Sequence, residues 1–152
     1  MPFLIDGNNL LGLRPELLAK DPEIRGRLVR RLSGFARARR TSVIVVFDGE
    51  PAEDGLRSDM TLGGVRVIFS GRAKDADGRI LEILDKAKDP AGYTLVSSDR
   101  LLGERARQRR ARCVTSIKFR RTLDETPSSA EPEAPLSAEQ IAEWERWFEE
   151  QS

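Results

Sequence analysis

The sequence predicts an α/β fold in which a central, mainly parallel sheet is covered by helices on both faces. Three observations carry that expectation. Short β-branched runs alternate with longer stretches of helical periodicity, the runs are apolar almost throughout rather than at every second residue, and 152 residues suffice for one domain with a real core. Alternation of this kind joins parallel strands through crossover helices.

Phe3 to Asp6 reads as the first strand. Gly7-Asn8-Asn9 follows with no helix expected for about 15 residues, which leaves the backbone after Asp6 open to a ligand. Asp21-Pro22-Glu23 then opens a helix, with Asp as N-cap, Pro at the first helical position and an acid in the first turn. Ile24, Leu28, Leu32 and Phe35 recur at helical spacing as one buried stripe, and Arg30 and Arg37 project from the opposite side.

Val43 to Phe47 and Val65 to Phe69 are the next two strands. Between them Gly49 to Gly64, rich in Gly, Pro and acids, reads as a loop with at most a short helix. A helix from about Asp75 to Lys88 buries Ala76, Ile80, Ile83 or Leu84, and Ala87, until Asp89-Pro90-Ala91-Gly92 stops it. Tyr93 to Ser97 is the fourth strand, a third helix begins after Asp99, and Cys113 to Thr115 is the last strand.

Asp124 to Ser137 is rich in Pro, Ser, Ala and Glu and reads as a linker. Ser137-Ala138-Glu139-Gln140 then has the spacing of a capping box, and Ile141, Trp144 and Phe148 share a face that Trp147 widens. The expected organisation is a domain over residues 1–123, a linker over 124–137, and an amphipathic helix over 138–152 that docks on the domain or on a partner.

With no histidine, Ser-His-Asp and Cys-His machinery and His-ligated metals are excluded, and one cysteine cannot build a thiolate zinc site. Any catalysis must run on carboxylates. The longest apolar run, Val43 to Phe47, is far short of the roughly 20 residues that span a bilayer, and the N-terminus lacks the pattern of a secretory signal. A cytoplasmic protein is the expectation. The net charge of +1 hides a division: residues 1–121 hold 25 Lys and Arg against 16 Asp and Glu, whereas 122–152 hold 1 against 9. A basic body of this kind attracts a polyanion.

Four acids fall at the carboxyl edge of the expected sheet, where open parallel sheets bind ligands. Asp6 ends the first strand, Asp48 the second, Asp77 lies in the first turn of the middle helix, and Asp99 follows the fourth strand. Asp75 and Asp99 also suit helix caps, and Asp48-Gly49 suits a turn. Two unit charges about 5 Å apart repel by roughly 3 kcal/mol at an effective dielectric near 20, so a shared site calls for compensation. A divalent cation supplies it, and all-oxygen ligands select Mg²⁺ or Mn²⁺. Such an ion activates water for attack on phosphorus without a histidine base, so phosphodiester hydrolysis fits.

These residues resemble the YacP-like NYN domains, a branch of the PIN-like nucleases. The resemblance rests on Leu4-Ile5-Asp6-Gly7-Asn8-Asn9-Leu10 for a D-G-x-N opening, Val45-Val46-Phe47-Asp48-Gly49, Ala76-Asp77-Gly78-Arg79-Ile80 for A-D-x-x-I, Val96-Ser97-Ser98-Asp99, and Trp144-Glu145-Arg146-Trp147-Phe148 for a W-x-x-x-F ending. It implies a PIN-like three-layer α/β/α sandwich and metal-dependent cleavage of RNA. It also implies that Asp6, Asp77 and Asp99 bind metal with Asp48 as a fourth ligand, and that Asn9 orders the site. Asp75 and Ser98 would support it from behind. Gly78 departs from the pattern, where an acid or other side chain is common.

Arginines concentrate at Arg25 to Arg40 and at Arg100 to Arg121. Arg100, Arg105, Arg107 and Arg110, with Arg30 and Arg37, are the expected phosphate contacts. Aromatics are only 6% of the chain, so backbone tracking of single-stranded RNA is expected over base readout. Two other readings are a non-catalytic RNA-binding adaptor of the same fold and a haloacid-dehalogenase-like phosphatase, though Asn8 stands where the latter's second Asp belongs.

Overall fold

The computed structural model describes residues 2–12, 20, 23–49, 59–72 and 74–125. In chain order the elements are β1 (Phe3–Asp6), α1 (Gly7–Leu11), α2 (Ile24–Arg39), β2 (Val43–Phe47), β3 (Met60–Leu62), β4 (Val65–Phe69), α3 (Ala76–Lys86), β5 (Thr94–Val96), α4 (Arg100–Gln108), β6 (Arg112–Val114) and α5 (Ser116–Glu125). The strands form one sheet in the order β3-β4-β2-β1-β5-β6. Only β3 runs antiparallel, to β4.

Strand residues alternate between two cores, as the pleat requires. Ile5, Val45, Val67 and Val96 face Leu10 of α1, Leu28, Leu32 and Phe35 of α2, and Phe119 and Leu123 of α5. Leu4, Val46, Ile68 and Leu95 face Ile80 and Leu84 of α3 and Leu102 and Ala106 of α4. The result is the three-layer α/β/α sandwich. Phe3, Phe35 and Phe119 meet with centroids 5.1–5.6 Å apart, so aromatic packing pins α5 to α2 and β1.

Several expectations from the sequence are overturned. A helix starts directly at Gly7, where none was expected, because Asp6 itself caps it. The segment Gly49 to Gly64 is not all loop: β3 pairs with β4 across Gly63-Gly64, both at positive φ (55° and 83°), a two-residue hairpin. The middle helix ends at Lys86, with Ala87 already extended. The linker cannot begin at Asp124, which lies on α5 and pairs with Arg31 at 2.7 Å. The rest of the linker, the terminal helix over 138–152, and the Asp21-Pro22 start lie outside the described residues.

Candidate active site

Chain order places β1 beside both β2 and β5, so successive connections leave β1 in opposite directions. The crevice at that reversal is where an open α/β sheet binds its ligand. Asp6 stands there, 5% exposed. Its Oδ1 accepts the Asn9 N–H at 3.4 Å, and its Oδ2 accepts the Ser97 hydroxyl at 3.2 Å. Burial pushes the Asp6 carboxyl up to about 6; the Asn9 and Ser97 bonds pull the other way, and the charges of Asp48 and Asp99 add to the rise. Capping and site chemistry thus fall on one residue. The backbone after Asp6 is not open: a Cβ on Gly7 would stand 2.5 Å from the buried Phe47 ring, so Gly lets α1 press onto β2.

The two asparagines of the opening motif tie this turn to its neighbours. Asn8 Oδ1 accepts the Asp48 N–H at 3.0 Å. Asn9 Oδ1 accepts the Ser98 N–H at 2.8 Å and the Ser116 hydroxyl at 2.6 Å. Ser98 Oγ in turn accepts the Ser116 N–H at 3.0 Å, joining α5 to the loop after β5. Asn9 therefore clamps α1, the β5–α4 loop and the start of α5 together.

On the other side of the sheet, Asp75 caps α3 through the Gly78 N–H at 2.8 Å. Asp77, in the first turn, is half-buried. Its carboxyl is pushed up to about 6 by burial first, then by the charges of Asp6, Asp99 and Asp75, and by a hydrogen bond toward Asp99. Asp99 caps α4 through the Leu102 N–H at 3.1 Å. Ser97 Oγ accepts the Asp99 N–H at 3.1 Å while donating to Asp6, so one hydroxyl couples two of the acids. Asp48 is exposed, and its Oδ1 accepts the Ala76 N–H at 2.9 Å.

Asp6, Asn8, Asn9, Gly12, Asp48, Asp75, Ala76 and Asp77 line a cleft of about 460 Å³. Asp99 is outside that lining and reaches the group through Ser97 and Asp77. Among the described residues no three acidic side chains close on one point as a ready cage. Mg²⁺ does not require one, since it commonly takes one or two carboxylates and keeps several waters. Hard oxygen donors, with Asp6 and Asp77 raised in proton affinity by burial first and by neighbouring charges second, fit such an ion.

The arginines divide between layers. Arg100 follows Asp99 at the carboxyl edge, and Arg105, Arg107 and Arg110 lie progressively away from it. The nine residues of α4 put roughly 13 Å of axis between its ends. Arg107 packs beside the Cys113 thiol. Arg30 and Arg37 are exposed on α2, in the opposite helical layer, so the two clusters do not form one surface. Arg25, counted with the first cluster, is 2% exposed, its guanidinium 5.0 Å from the Phe69 ring centroid and 5.7 Å from that of Phe47.

Sequence reasoning missed Asn8, Ser70 and Ser116, and gave Ser97 no part in holding Asp6. Their hydroxyl and amide groups do not stand out in the sequence, and only the meeting of distant loops gives them work. Arg120 was missed as well: its guanidinium caps α1 by donating to the Leu10 carbonyl, at 2.6 Å from Nε.

A family model described as the YacP-like NYN domain matches residues 3–149. Among solved structures, a crystal structure of a single-site mutant of Rae1 (YacP) from Bacillus subtilis is similar with a TM-score of 0.66 and 23% identity, covering 87% of this chain and 79% of that one. A crystal structure of Rae1 (YacP) from Bacillus subtilis gives 0.64 and 22%, covering 88% and 79%. No curated protein matches in sequence. At such identities the structural likeness establishes the fold. The family match spans nearly the whole length, and the chain therefore belongs to the YacP-like NYN domain family, a PIN-like nuclease family.

Proposed function

We propose that this chain is a cytoplasmic, metal-dependent endoribonuclease that hydrolyses phosphodiester bonds of single-stranded RNA. The observation that carries the reading is the convergence of Asp6, Asp77 and Asp99, from β1, α3 and the β5–α4 loop, at one sheet edge, where Ser97 joins Asp6 to Asp99 and the charges of Asp6 and Asp99 act on Asp77. One or two of these carboxylates would hold Mg²⁺ or Mn²⁺ directly, and the rest would reach it through its waters. When bound, the ion supplies an activated water and offsets charge on the leaving oxygen. Ser97 fixes Asp6 relative to Asp99, and Asn9 keeps the loop that carries Asp99 against α1. Arg100 is the cation nearest Asp99 in the chain and takes the phosphate beside the scissile one, with Arg105 and Arg107 following along α4 and Arg110 just past its end. An RNA on that path does not meet Arg30 and Arg37, which lie across the sheet.

The test is cleavage of a labelled single-stranded RNA with Mg²⁺ or Mn²⁺, using Asp6→Asn and Asp99→Asn as controls. Cutting should vanish in both variants while RNA binding survives or tightens, because negative charge has been removed. Wild-type protein that binds RNA without metal-dependent cutting is an adaptor. In the same assay Arg100→Gln should weaken binding more than Arg110→Gln and lower the salt slope by about 0.7, the value of one phosphate contact on a single strand.

A further inference from the structure

We propose that Asp48 is a positioning residue that latches the first turn of α3, and not a ligand of the metal; the proposal rests on the nuclease reading for its consequence but not for its geometry. Three elements meet at this side chain. Its Oδ1 accepts the Ala76 N–H at 2.9 Å and the Ser70 hydroxyl at 3.4 Å. Its own N–H is taken by Asn8 Oδ1 at 3.0 Å. Ser70, just past β4, accepts the Gly49 N–H at 2.8 Å and donates its backbone N–H to the Phe47 carbonyl at 3.0 Å. A further bond from Gly71 N–H to the Gly49 carbonyl at 2.8 Å straps the ends of β2 and β4 together.

The Ala76 N–H is the first of the helix donors that no intrahelical carbonyl can satisfy, so a carboxylate placed there is both a cap and a favourable charge for the helix N-terminus. Asp75 takes the Gly78 N–H of the same turn. Two carboxylates therefore grip the turn from outside, and Asp77 sits between their two anchor points. Asp48 holds that turn from the strapped ends of two strands. Both contacts fall on Oδ1, which commits that oxygen to the helix end and to Ser70.

Asn retains an acceptor oxygen for Ala76 and loses the charge, so Asp48→Asn and Asp48→Ala separate a latch from a ligand. Without metal or RNA, amide hydrogen exchange at Ala76 should quicken at least tenfold in Asp48→Ala and stay within threefold of wild type in Asp48→Asn. Unchanged exchange in the alanine variant overturns the latch. Mn²⁺ binding, read by electron paramagnetic resonance, should stay within threefold of wild type in Asp48→Asn and weaken at least tenfold in Asp6→Asn. Equal losses in those two variants make Asp48 a ligand and overturn the proposal. In RNA cleavage, Asp48→Ala should lose at least tenfold in kcat with KM little changed, and Asp48→Asn should recover most of that loss; an asparagine variant no better than alanine counts against the latch. Wild-type protein that neither cuts RNA nor binds Mn²⁺ would end the nuclease reading, while the exchange data would still decide whether Asp48 holds α3.

Discussion

Asp6-Gly7 and Asp48-Gly49 are the same dipeptide at the ends of two hydrogen-bonded parallel strands, and each carboxylate takes a helix N–H, yet their surroundings differ. Asp6 is buried and opens a helix, with Gly7 pressed against the Phe47 ring; Asp48 is exposed and ends in a turn, with Gly49 at a φ of 80° and open space where a side chain would begin. The first glycine is there for space and the second for backbone conformation. Both carboxylates accept a backbone N–H, but the first does so buried, where its charge is unfavourable, and the second does so exposed. Neighbouring elements, not the dipeptide, assign these roles.

The largest test of this contrast is Gly7→Ala against Gly49→Ala. Alanine at position 7 forces a methyl into a fully buried ring and should cost about 3 kcal/mol, the upper end of overpacking. At position 49 only the positive φ opposes it, at about 1 kcal/mol. Urea unfolding midpoints measure both, and equal costs would erase the distinction.

Next in size is Asp6→Asn. Because folding raises this carboxyl from 3.8 to about 6, its neutral form favours the fold: that stability is complete below about pH 4 and is lost as pH rises through 6. In divalent-free buffer at pH 7 the variant should be more stable than wild type by roughly 2 kcal/mol, and by no more than about 3, the full value of the shift. The advantage should fade toward pH 4. Thermal or urea unfolding across pH 4–7 reads it, and a variant less stable than wild type at pH 7 would contradict the burial argument.

The smallest effect compares the hydroxyl beside each acid. Ser97→Ala removes a donor that favours the ionised form, so the Asp6 carboxyl should titrate still higher. Ser70→Ala should leave the Asp6 titration where it is, since that hydroxyl serves Asp48 and Gly49. Carbon-13 NMR of the aspartate carboxyls follows both, and a shift of Asp6 in the Ser70 variant as large as that in the Ser97 variant would erase the distinction between the two hydroxyls.

Much of this molecule was legible in the order of its residues. Val43-Ile44-Val45-Val46-Phe47 has no partner-dependent alternative to a buried strand, and Asp75-Ala76 and Asp99-Arg100 begin their helices where a cap followed by helical spacing says they should. The hairpin signal Gly63-Gly64 was present but lay in a segment whose composition suggested only loop. The helix at Gly7 was invisible for a different reason. Five residues are too few to show a periodic stripe, and α1 exists because Asp6 caps it, Arg120 closes its far end and Leu10 is buried.

By itself the sequence determined the alternation of strands and helices, the absence of histidine and disulfide chemistry, and which carboxylates stand at strand ends, because these follow from side-chain type and local spacing. Tertiary structure alone decided which carboxylate is buried, which hydroxyls and amides hold it, and that the two arginine groups lie on opposite layers. Those outcomes depend on strand order and on contacts between residues about 90 positions apart, such as Ser97 with Asp6, and no local rule encodes a meeting at that range.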